Sequence, residues 1–181
     1  SSSMPISAVS AQFGRIDVLV NSAGLAALGP AEELTLGTWD LTMAVNLRGA
    51  FLVSQQAGRI MLAQGSGTVI SLASQAATIA LPGHLAYCAS KFGLVGLTKV
   101  LALEWAGRGV TANTISPTVV MTALAKELWD SPEGEALKAQ IPTQRFAEPE
   151  EIAAVIAFLC SDRARNITGV LMPVDGGYVA R

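Results

Sequence analysis

Apolar residues recur along this chain in two patterns, as short unbroken runs and as longer stretches with the spacing of a helix. The short runs are rich in β-branched residues and predict four strands, at 16–20, 68–72, 110–115 and 170–174. Helical stretches alternate with these runs. Such alternation predicts parallel βαβ units with right-handed crossovers, and hence an α/β fold with helices on both faces of a parallel sheet. No internal repeat or linker interrupts the pattern, so we expect residues 1–181 to form a single domain.

Start and stop signals locate the first two helices. A helix over 6–13 should end at Gly14, because glycine adopts the left-handed conformation that closes many helices. A long helix over 38–64 should begin at Thr38, which is a plausible N-cap. The strand at 16–20 is almost continuously apolar, so we expect it to be flanked by other strands and buried on both faces.

The second half of the chain gives further helix signals. One helix should begin after Gly83 and continue to residue 105, and another should begin at Pro149 with two glutamates in its first turn. Between them, residues 123–146 carry a mixed helical signal with two prolines. We expect this segment to be mobile, because it shows few strong periodic contacts.

The composition narrows the class of protein. With 51% hydrophobic and 14% charged residues the chain is unusually apolar, and much of its surface is expected to meet other protein. A net charge of -2 with scattered basic residues argues against a nucleic-acid-binding protein, which would need a stripe of basic residues. The uncharged interval between Arg59 and Lys91 is too often broken by polar residues and Pro82-Gly83 for a membrane span. The two cysteines, Cys88 and Cys160, fit a reducing cytoplasm. We predict no metal site.

Two ionisable side chains have the best claim to chemistry. Tyr87 and Lys91 are four residues apart, so they lie on one face of the predicted helix. A nearby cation favours the phenolate and should lower the pKa of Tyr87, which would make it a general acid and base for an alcohol or carbonyl. Ser74 follows a strand at the carboxyl edge of the sheet, where its hydroxyl could hold the substrate oxygen. The alternative is that Tyr-x-x-x-Lys occurs by chance, as it does in many unrelated helices.

Further segments resemble the classical short-chain dehydrogenase/reductase family over essentially the whole chain. The matching pieces are Asn21-Ser22-Ala23-Gly24, Val45-Asn46-Leu47, Ser74, Tyr87-Cys88-Ala89-Ser90-Lys91, Asn113 with Pro117, and Asp175-Gly176-Gly177. The resemblance implies a doubly wound, Rossmann-like sheet and hydride transfer between NAD or NADP and a secondary alcohol or ketone. It also implies homodimers or homotetramers, assembled through the helices at 38–64 and 87–105.

The resemblance assigns roles to individual residues. Tyr87 would exchange the proton, Lys91 would lower its pKa and hold the nicotinamide ribose, Ser74 would position the substrate, and Asn46 would organise a water linked to Lys91. The implied cofactor-binding residues are Asn21, Ala23, Gly24, Tyr87, Lys91, Pro117 and Thr122. Two positions depart from the family pattern: Ser22 replaces a more usual Asn, and Thr118 replaces a Gly after Pro117.

The residues around the serine and tyrosine bear on the substrate. Ser74-Gln75 and His84-Leu85-Ala86-Tyr87-Cys88 are similar to the family's polyol dehydrogenases, in which Gln75 and His84 would bond additional hydroxyls of a small sugar alcohol. A satisfied structural role is the alternative for His84. The closest enzymatic rival is a 3-oxoacyl-carrier-protein reductase using NADPH.

The family's glycine-rich TGxxxGIG loop and roughly three N-terminal strands have no counterpart in this sequence. We therefore expect the strand at 16–20 to carry an apolar edge of unpaired backbone groups. The preferred explanation is a full enzyme with an N-terminal segment upstream of this chain. The alternative, from a different functional class, is a truncated, non-catalytic subunit whose long apolar helices mediate assembly.

Overall fold

A computed structural model describes residues 5–180, apart from the side chains at positions 123, 124 and 128. Its strands are all parallel and are neighbours in chain order: β1 (Val18–Asn21), β2 (Gly67–Leu72), β3 (Val110–Pro117) and β4 (Leu171–Val174). The α-helices of the described part are α1 (Ile6–Phe13), α2 (Leu36–Met43), α3 (Ala50–Gln64), α4 (Leu85–Trp105), α5 (Ala123–Trp129), α6 (Pro132–Lys138) and α7 (Pro149–Leu159). The predicted parallel α/β fold is confirmed.

The two faces of the sheet bury separate cores. Leu19, Val69 and Val110 belong to a core that includes buried side chains of α3 and α4. Ile70 and Ile115 belong to a second core with buried side chains of α7. Because successive residues of a strand point to opposite faces, Val69 and Ile70 take part in different cores. Helices therefore cover both faces, as predicted.

Strand β1 differs from the prediction in its burial. Leu19 is buried, but Val18 and Val20 expose 42% and 40% of their surface, so the strand is not buried on both faces. Within residues 5–180, β1 pairs only with β2, and its other edge carries the unpaired backbone groups of an edge strand. An apolar sequence shows that a strand is suited to burial, but neighbouring elements decide whether the burial occurs.

The long helix predicted over 38–64 is confirmed, but it begins earlier, at Leu36, and is not uniform. Thr35 is its N-cap, because the Thr35 Oγ1 accepts a hydrogen bond from the Thr38 N–H at 3.2 Å; the predicted cap at Thr38 is wrong. Residues Ala44–Gly49 form a π-helical segment between α2 and α3, a feature that is frequent at functional sites. The helix ends at Gln64, as predicted.

Helix α4 packs against β3 and carries the predicted catalytic pair. The segment Leu85–Arg108 is long and apolar enough, by length and composition alone, to cross a membrane, and 33% of its most apolar window is buried. Core helices of soluble proteins pass the same test. The interval between Arg59 and Lys91 is divided among the end of α3, strand β2 and the start of α4.

The remaining signals are largely confirmed. Gly14 closes α1 with a φ of 75°. Within 123–146, the mixed helical signal corresponds to the two short helices α5 and α6; the mobility of this segment stays a prediction. Helix α7 begins at Pro149, and a capping box between Glu148 and Glu151 holds its first turn.

Candidate active site

Ser74 lies just beyond the end of β2, at the carboxyl edge of the sheet. Its extended backbone starts a short 3-10 turn over Gln75–Ala77, and its Oγ accepts a hydrogen bond from the Ala76 N–H at 3.2 Å. This local bond fixes the hydroxyl at the point where a ligand of an open α/β sheet binds.

Helix α4 brings Tyr87 and Lys91 to the same edge. The Tyr87 side chain shares a hydrogen bond with Ser74, and the Lys91 Nζ lies over the Tyr87 ring, 5.6 Å from its centroid. Lys91 is 4% exposed and donates a 2.7 Å hydrogen bond to the Leu72 carbonyl oxygen at the end of β2. The structure therefore brings together all three residues that the sequence singled out.

The predicted direction of the Tyr87 pKa is wrong for this arrangement. Burial, the largest cause, raises the pKa of Tyr87 above its ordinary value, while the hydrogen bond with Ser74 lowers it and the adjacent Cys88 thiol raises it. Lys91 is not among the causes of this shift; its ammonium lies over the ring and bonds the Leu72 carbonyl oxygen. A phenol with a raised pKa is protonated near neutrality.

Lys91 is itself perturbed by its surroundings. Burial lowers its pKa from 10.5 to about 8, because removing the ammonium from water disfavours the charged form. The single short bond to the Leu72 carbonyl leaves donor capacity on Nζ for another acceptor. Perturbed titratable groups that converge at a sheet edge are typical of functional sites.

Asn46 lies in the π-helical segment and is 1% exposed. Its Nδ2 donates to the Leu25 carbonyl oxygen at 2.9 Å, and its Oδ1 accepts from the Leu25 N–H at 2.9 Å. A further Nδ2 bond, at 3.0 Å, goes to Ser90 Oγ. Asn46 therefore holds the loop after β1; its predicted link to Lys91 through water stays a prediction.

Sequence reasoning missed Ser90 as a separate contributor. Its hydroxyl is fully buried, accepts the Asn46 bond and donates to the Tyr87 carbonyl oxygen at 2.7 Å. The sequence signal was its position three residues after Tyr87, where a serine hydroxyl can bond the backbone of the preceding turn. Nothing in the sequence indicated that Asn46 would be the other partner.

The predicted cofactor residues at the end of β1 differ from one another in exposure. Asn21 points inward, where its Nδ2 donates to Ser54 Oγ at 2.9 Å and to Ser71 Oγ at 3.4 Å. Ala23 and Gly24 are exposed at the rim. A Cβ added at Gly24 would stand 3.4 Å from Lys91 Nζ, so this glycine keeps clear the space beside the ammonium. This open space at Gly24, beside the Lys91 ammonium, is called the cofactor cradle below. An open space next to a hydrogen-bond donor fits the nicotinamide ribose of a dinucleotide.

The other predicted cofactor residues follow β3. Pro117 is buried at the end of that strand, and Thr122 is exposed and caps α5 by accepting from the Ala125 N–H at 3.2 Å. Thr118, which departs from the family pattern, donates to the Asp175 carbonyl oxygen at 3.4 Å. The substitution therefore adds a contact between the ends of β3 and β4.

The predicted substrate residues, Gln75 and His84, adjoin Ser74 and Tyr87. Gln75 directly follows Ser74, is 7% exposed, and has an Oε1 atom without a hydrogen-bond partner among the described residues. The His84 ring contacts Tyr87 edge-on, with 6.2 Å between ring centroids, and its Nδ1 lies 2.7 Å from the Pro82 carbonyl oxygen. The bond with Pro82 is the structural role that the sequence left open, and the other ring nitrogen adds a polar group beside Tyr87.

Comparison with known proteins agrees with this geometry. Residues 4–179 match a family model described as enoyl-(acyl carrier protein) reductase. The chain is 60% identical over 174 residues to D-threitol dehydrogenase of Mycolicibacterium smegmatis, and 50% identical over 169 residues to NAD-dependent glycerol dehydrogenase of Listeria innocua. These alignments cover 96% and 93% of the chain but 67% and 66% of the relatives, so it spans about two thirds of their length.

Solved structures show the same relationship. A putative short-chain alcohol dehydrogenase from Sinorhizobium meliloti matches with a TM-score of 0.91 at 37% identity, covering 96% of this chain and 69% of that one. A gluconate 5-dehydrogenase from Burkholderia cenocepacia, in complex with NADP and tartrate, matches with a TM-score of 0.92 at 32% identity, covering 97% and 69%. The predicted chemistry, NAD(P)-dependent oxidoreduction at CH–OH groups, is confirmed at the level of the family. The chain belongs to the short-chain dehydrogenase/reductase family.

Proposed function

We propose that this chain carries the catalytic residues of an NAD(P)-dependent dehydrogenase that interconverts a small polyol and its ketone. The observation that carries the proposal is the convergence of the Ser74 hydroxyl, the Tyr87 phenol and the Lys91 ammonium at the carboxyl edge of the sheet. We propose further that residues 1–181 form one domain that contains the catalytic and substrate regions of the family's fold.

Ser74 and Tyr87 supply the proton chemistry. In the reducing direction, the protonated phenol of Tyr87 donates to the ketone oxygen while the Ser74 hydroxyl holds that oxygen in place. In the oxidising direction, the Tyr87 phenolate accepts the proton of the alcohol. The dinucleotide, when bound, supplies or accepts the hydride. The raised pKa of Tyr87 keeps it a proton donor near neutrality, so oxidation requires stabilisation of the phenolate.

Lys91 and the loop after β1 hold the nicotinamide end of the cofactor. The Lys91 Nζ has donor capacity for a ribose hydroxyl, and Gly24 leaves the space beside it open. We assign the rest of the binding surface to Ala23, Pro117 and Thr122, and the support of the loop to Asn21 and Asn46. Asn46 is also proposed to organise the water that links to Lys91.

Gln75 and His84 carry the preference for a polyol. The unpaired Oε1 of Gln75 is a buried acceptor next to Ser74, and a buried acceptor without a partner is costly unless a ligand or water bonds it. His84 presents a second polar group beside Tyr87. The names of the relatives support this class of substrate, since they include D-threitol dehydrogenase, glycerol dehydrogenase and L-xylulose reductase.

The test compares rates on two classes of substrate with both nicotinamide cofactors. We expect turnover of tetritols and pentitols, or reduction of their ketoses, to exceed turnover of acetoacetyl thioesters. Faster reduction of the thioesters would replace the proposal by a 3-oxoacyl-carrier-protein reductase. Calorimetric titration of a folded sample with NAD and NADP decides the other alternative, because a protein that binds neither is a non-catalytic subunit.

Assembly through α3 and α4 is the proposed quaternary arrangement, as a homodimer or homotetramer. Phe51, Leu52 and Phe92 expose 42%, 50% and 48% of their surface on these helices, and Leu47 and Leu97 line an open groove of about 820 Å³ between the π-helical segment and α4. Apolar patches of this kind mark interaction surfaces. Sedimentation of the wild-type protein and the Phe92→Asp variant tests the interface. The same sedimentation coefficient for both would refute it.

The two free thiols support a cytoplasmic location, which cell fractionation checks.

A further inference from the structure

The buried hydroxyl of Ser90 joins two parts of the site that are far apart in the sequence. Ser90 lies in α4, three residues after Tyr87, and has no exposed surface. Its Oγ donates to the Tyr87 carbonyl oxygen at 2.7 Å and accepts from Asn46 Nδ2 at 3.0 Å. The first bond holds the helical turn that carries the phenol, and the second crosses to the π-helical segment.

Asn46 continues the connection to the loop after β1. It bonds both the N–H and the carbonyl oxygen of Leu25, each at 2.9 Å, so that residue cannot shift without breaking two hydrogen bonds. Leu25 follows Gly24, where an added Cβ would stand 3.4 Å from Lys91 Nζ and 3.6 Å from Asn46 Oδ1. The contacts therefore run without a gap from the rim of the cofactor cradle, through Asn46 and Ser90, to Tyr87.

We propose that Ser90 is a positioning residue, which keeps the Tyr87 turn of α4 in register with the Gly24 and Leu25 loop by way of Asn46. The inference rests on the proposed function, since it takes Tyr87 as the acid and base. Removal of the Ser90 hydroxyl leaves a buried Asn46 N–H without its acceptor. It also removes the hydrogen bond that the Tyr87 carbonyl oxygen accepts from Ser90 Oγ. A small misplacement of a catalytic group lowers the rate of the chemical step.

The test compares Ser90→Ala with Thr98→Val. Thr98 is a matched control, because it is also fully buried in α4. Its hydroxyl donates to the backbone of the preceding turn, to the Leu94 carbonyl oxygen at 2.8 Å, and not to Asn46 or Tyr87. We expect Ser90→Ala to lower kcat by about 10- to 100-fold with little change in the KM for polyol. Thr98→Val should keep kcat within about twofold of wild type. Equal kcat values for the two variants would overturn the proposal.

A second measurement does not depend on activity. Because the Leu25 amide donates to Asn46 Oδ1, loosening of Asn46 should speed hydrogen exchange at Leu25 in Ser90→Ala and not in Thr98→Val. Unchanged exchange at Leu25 refutes the link. If wild type turns over no polyol, the proposed function fails while exchange still decides the role of Ser90. If Ser90→Ala does not fold, Ser90→Cys, a weaker donor of similar size, is held to the same expectations and can overturn the proposal in the same way.

Discussion

The Lys91 ammonium lies over the face of the Tyr87 ring, 5.6 Å from its centroid, and donates its short hydrogen bond to the Leu72 carbonyl oxygen. The cation is therefore anchored to the sheet, and the phenol is bonded by Ser74. This arrangement separates two roles that the sequence pattern merges. Ser74 bonds the phenol directly, whereas Lys91 bonds the sheet and keeps donor capacity beside the phenol.

Replacement of Tyr87 by Phe should abolish most of the activity. We expect kcat to fall by about 10²- to 10⁴-fold, because the variant lacks the proton donor and acceptor while keeping the ring. The measurement is nucleotide-linked turnover of a polyol. Tyr178→Phe is the control, since Tyr178 lies in a separate core with Ile141 and Phe146. Turnover by Tyr87→Phe at the level of the control would exclude Tyr87 as the acid and base.

Gly24→Ala tests the cofactor cradle. The added methyl would contact Lys91 Nζ at 3.4 Å and Asn46 Oδ1 at 3.6 Å, which is ordinary packing distance, so the fold should tolerate it. It should nevertheless occupy space beside the ammonium, and we expect the Kd for the nicotinamide cofactor to rise by about tenfold, which corresponds to ~1.4 kcal/mol. Gly29→Ala is the control, because a Cβ there meets no atom within 4 Å. Equal Kd values for both variants would place the cofactor elsewhere.

The lowered pKa of Lys91 predicts a dependence of stability on pH. Between about 8 and 10.5 the folded protein holds a neutral Lys91 while the unfolded chain still binds the proton, so the unfolded state binds more protons and stability rises with pH. Denaturant unfolding of wild type and Lys91→Met measures this contribution, because the other titrating groups cancel in the difference. The free energy of unfolding of wild type should rise relative to the variant from pH 8 to pH about 9.5. A constant difference would show that the Lys91 pKa is not lowered.

The contact between α3 and α4 predicts a large cost for a single methyl group. A Cβ added at Gly58 would overlap Trp105, with its Cζ2 at 2.8 Å and its Cη2 closer still. We expect Gly58→Ala to lower the free energy of unfolding by about 1–3 kcal/mol through overpacking. Gly37→Ala, in α2 where a Cβ meets nothing within 4 Å, should instead raise it by about 0.4–1 kcal/mol. Thermal and denaturant unfolding of the two variants checks both signs. If Gly37→Ala destabilises the protein and Gly58→Ala does not, the packing argument is contradicted.

The parallel strands and most helices could be predicted because their signals are local. The β-branched run at β2, the glycine after α1 and the proline at the start of α7 act through the conformations of their own residues. The position of Thr35 as N-cap was missed since both Thr35 and Thr38 are plausible caps, and only the backbone geometry selects between them. The exposure of Val18 and Val20 was missed because burial depends on neighbouring elements.

The sequence by itself determined the fold class, the pairing of Tyr87 with Lys91 on one helix face, and the place of Ser74 at a strand end, since spacing along a regular element sets which side chains share a face. The tertiary structure alone decided the direction of the Tyr87 pKa, the anchoring of Lys91 to Leu72, and the chain of bonds from Leu25 through Asn46 to Ser90. These depend on burial and on contacts between residues 19 to 44 positions apart. Local patterns do not record such contacts, because they form only when separate elements pack together.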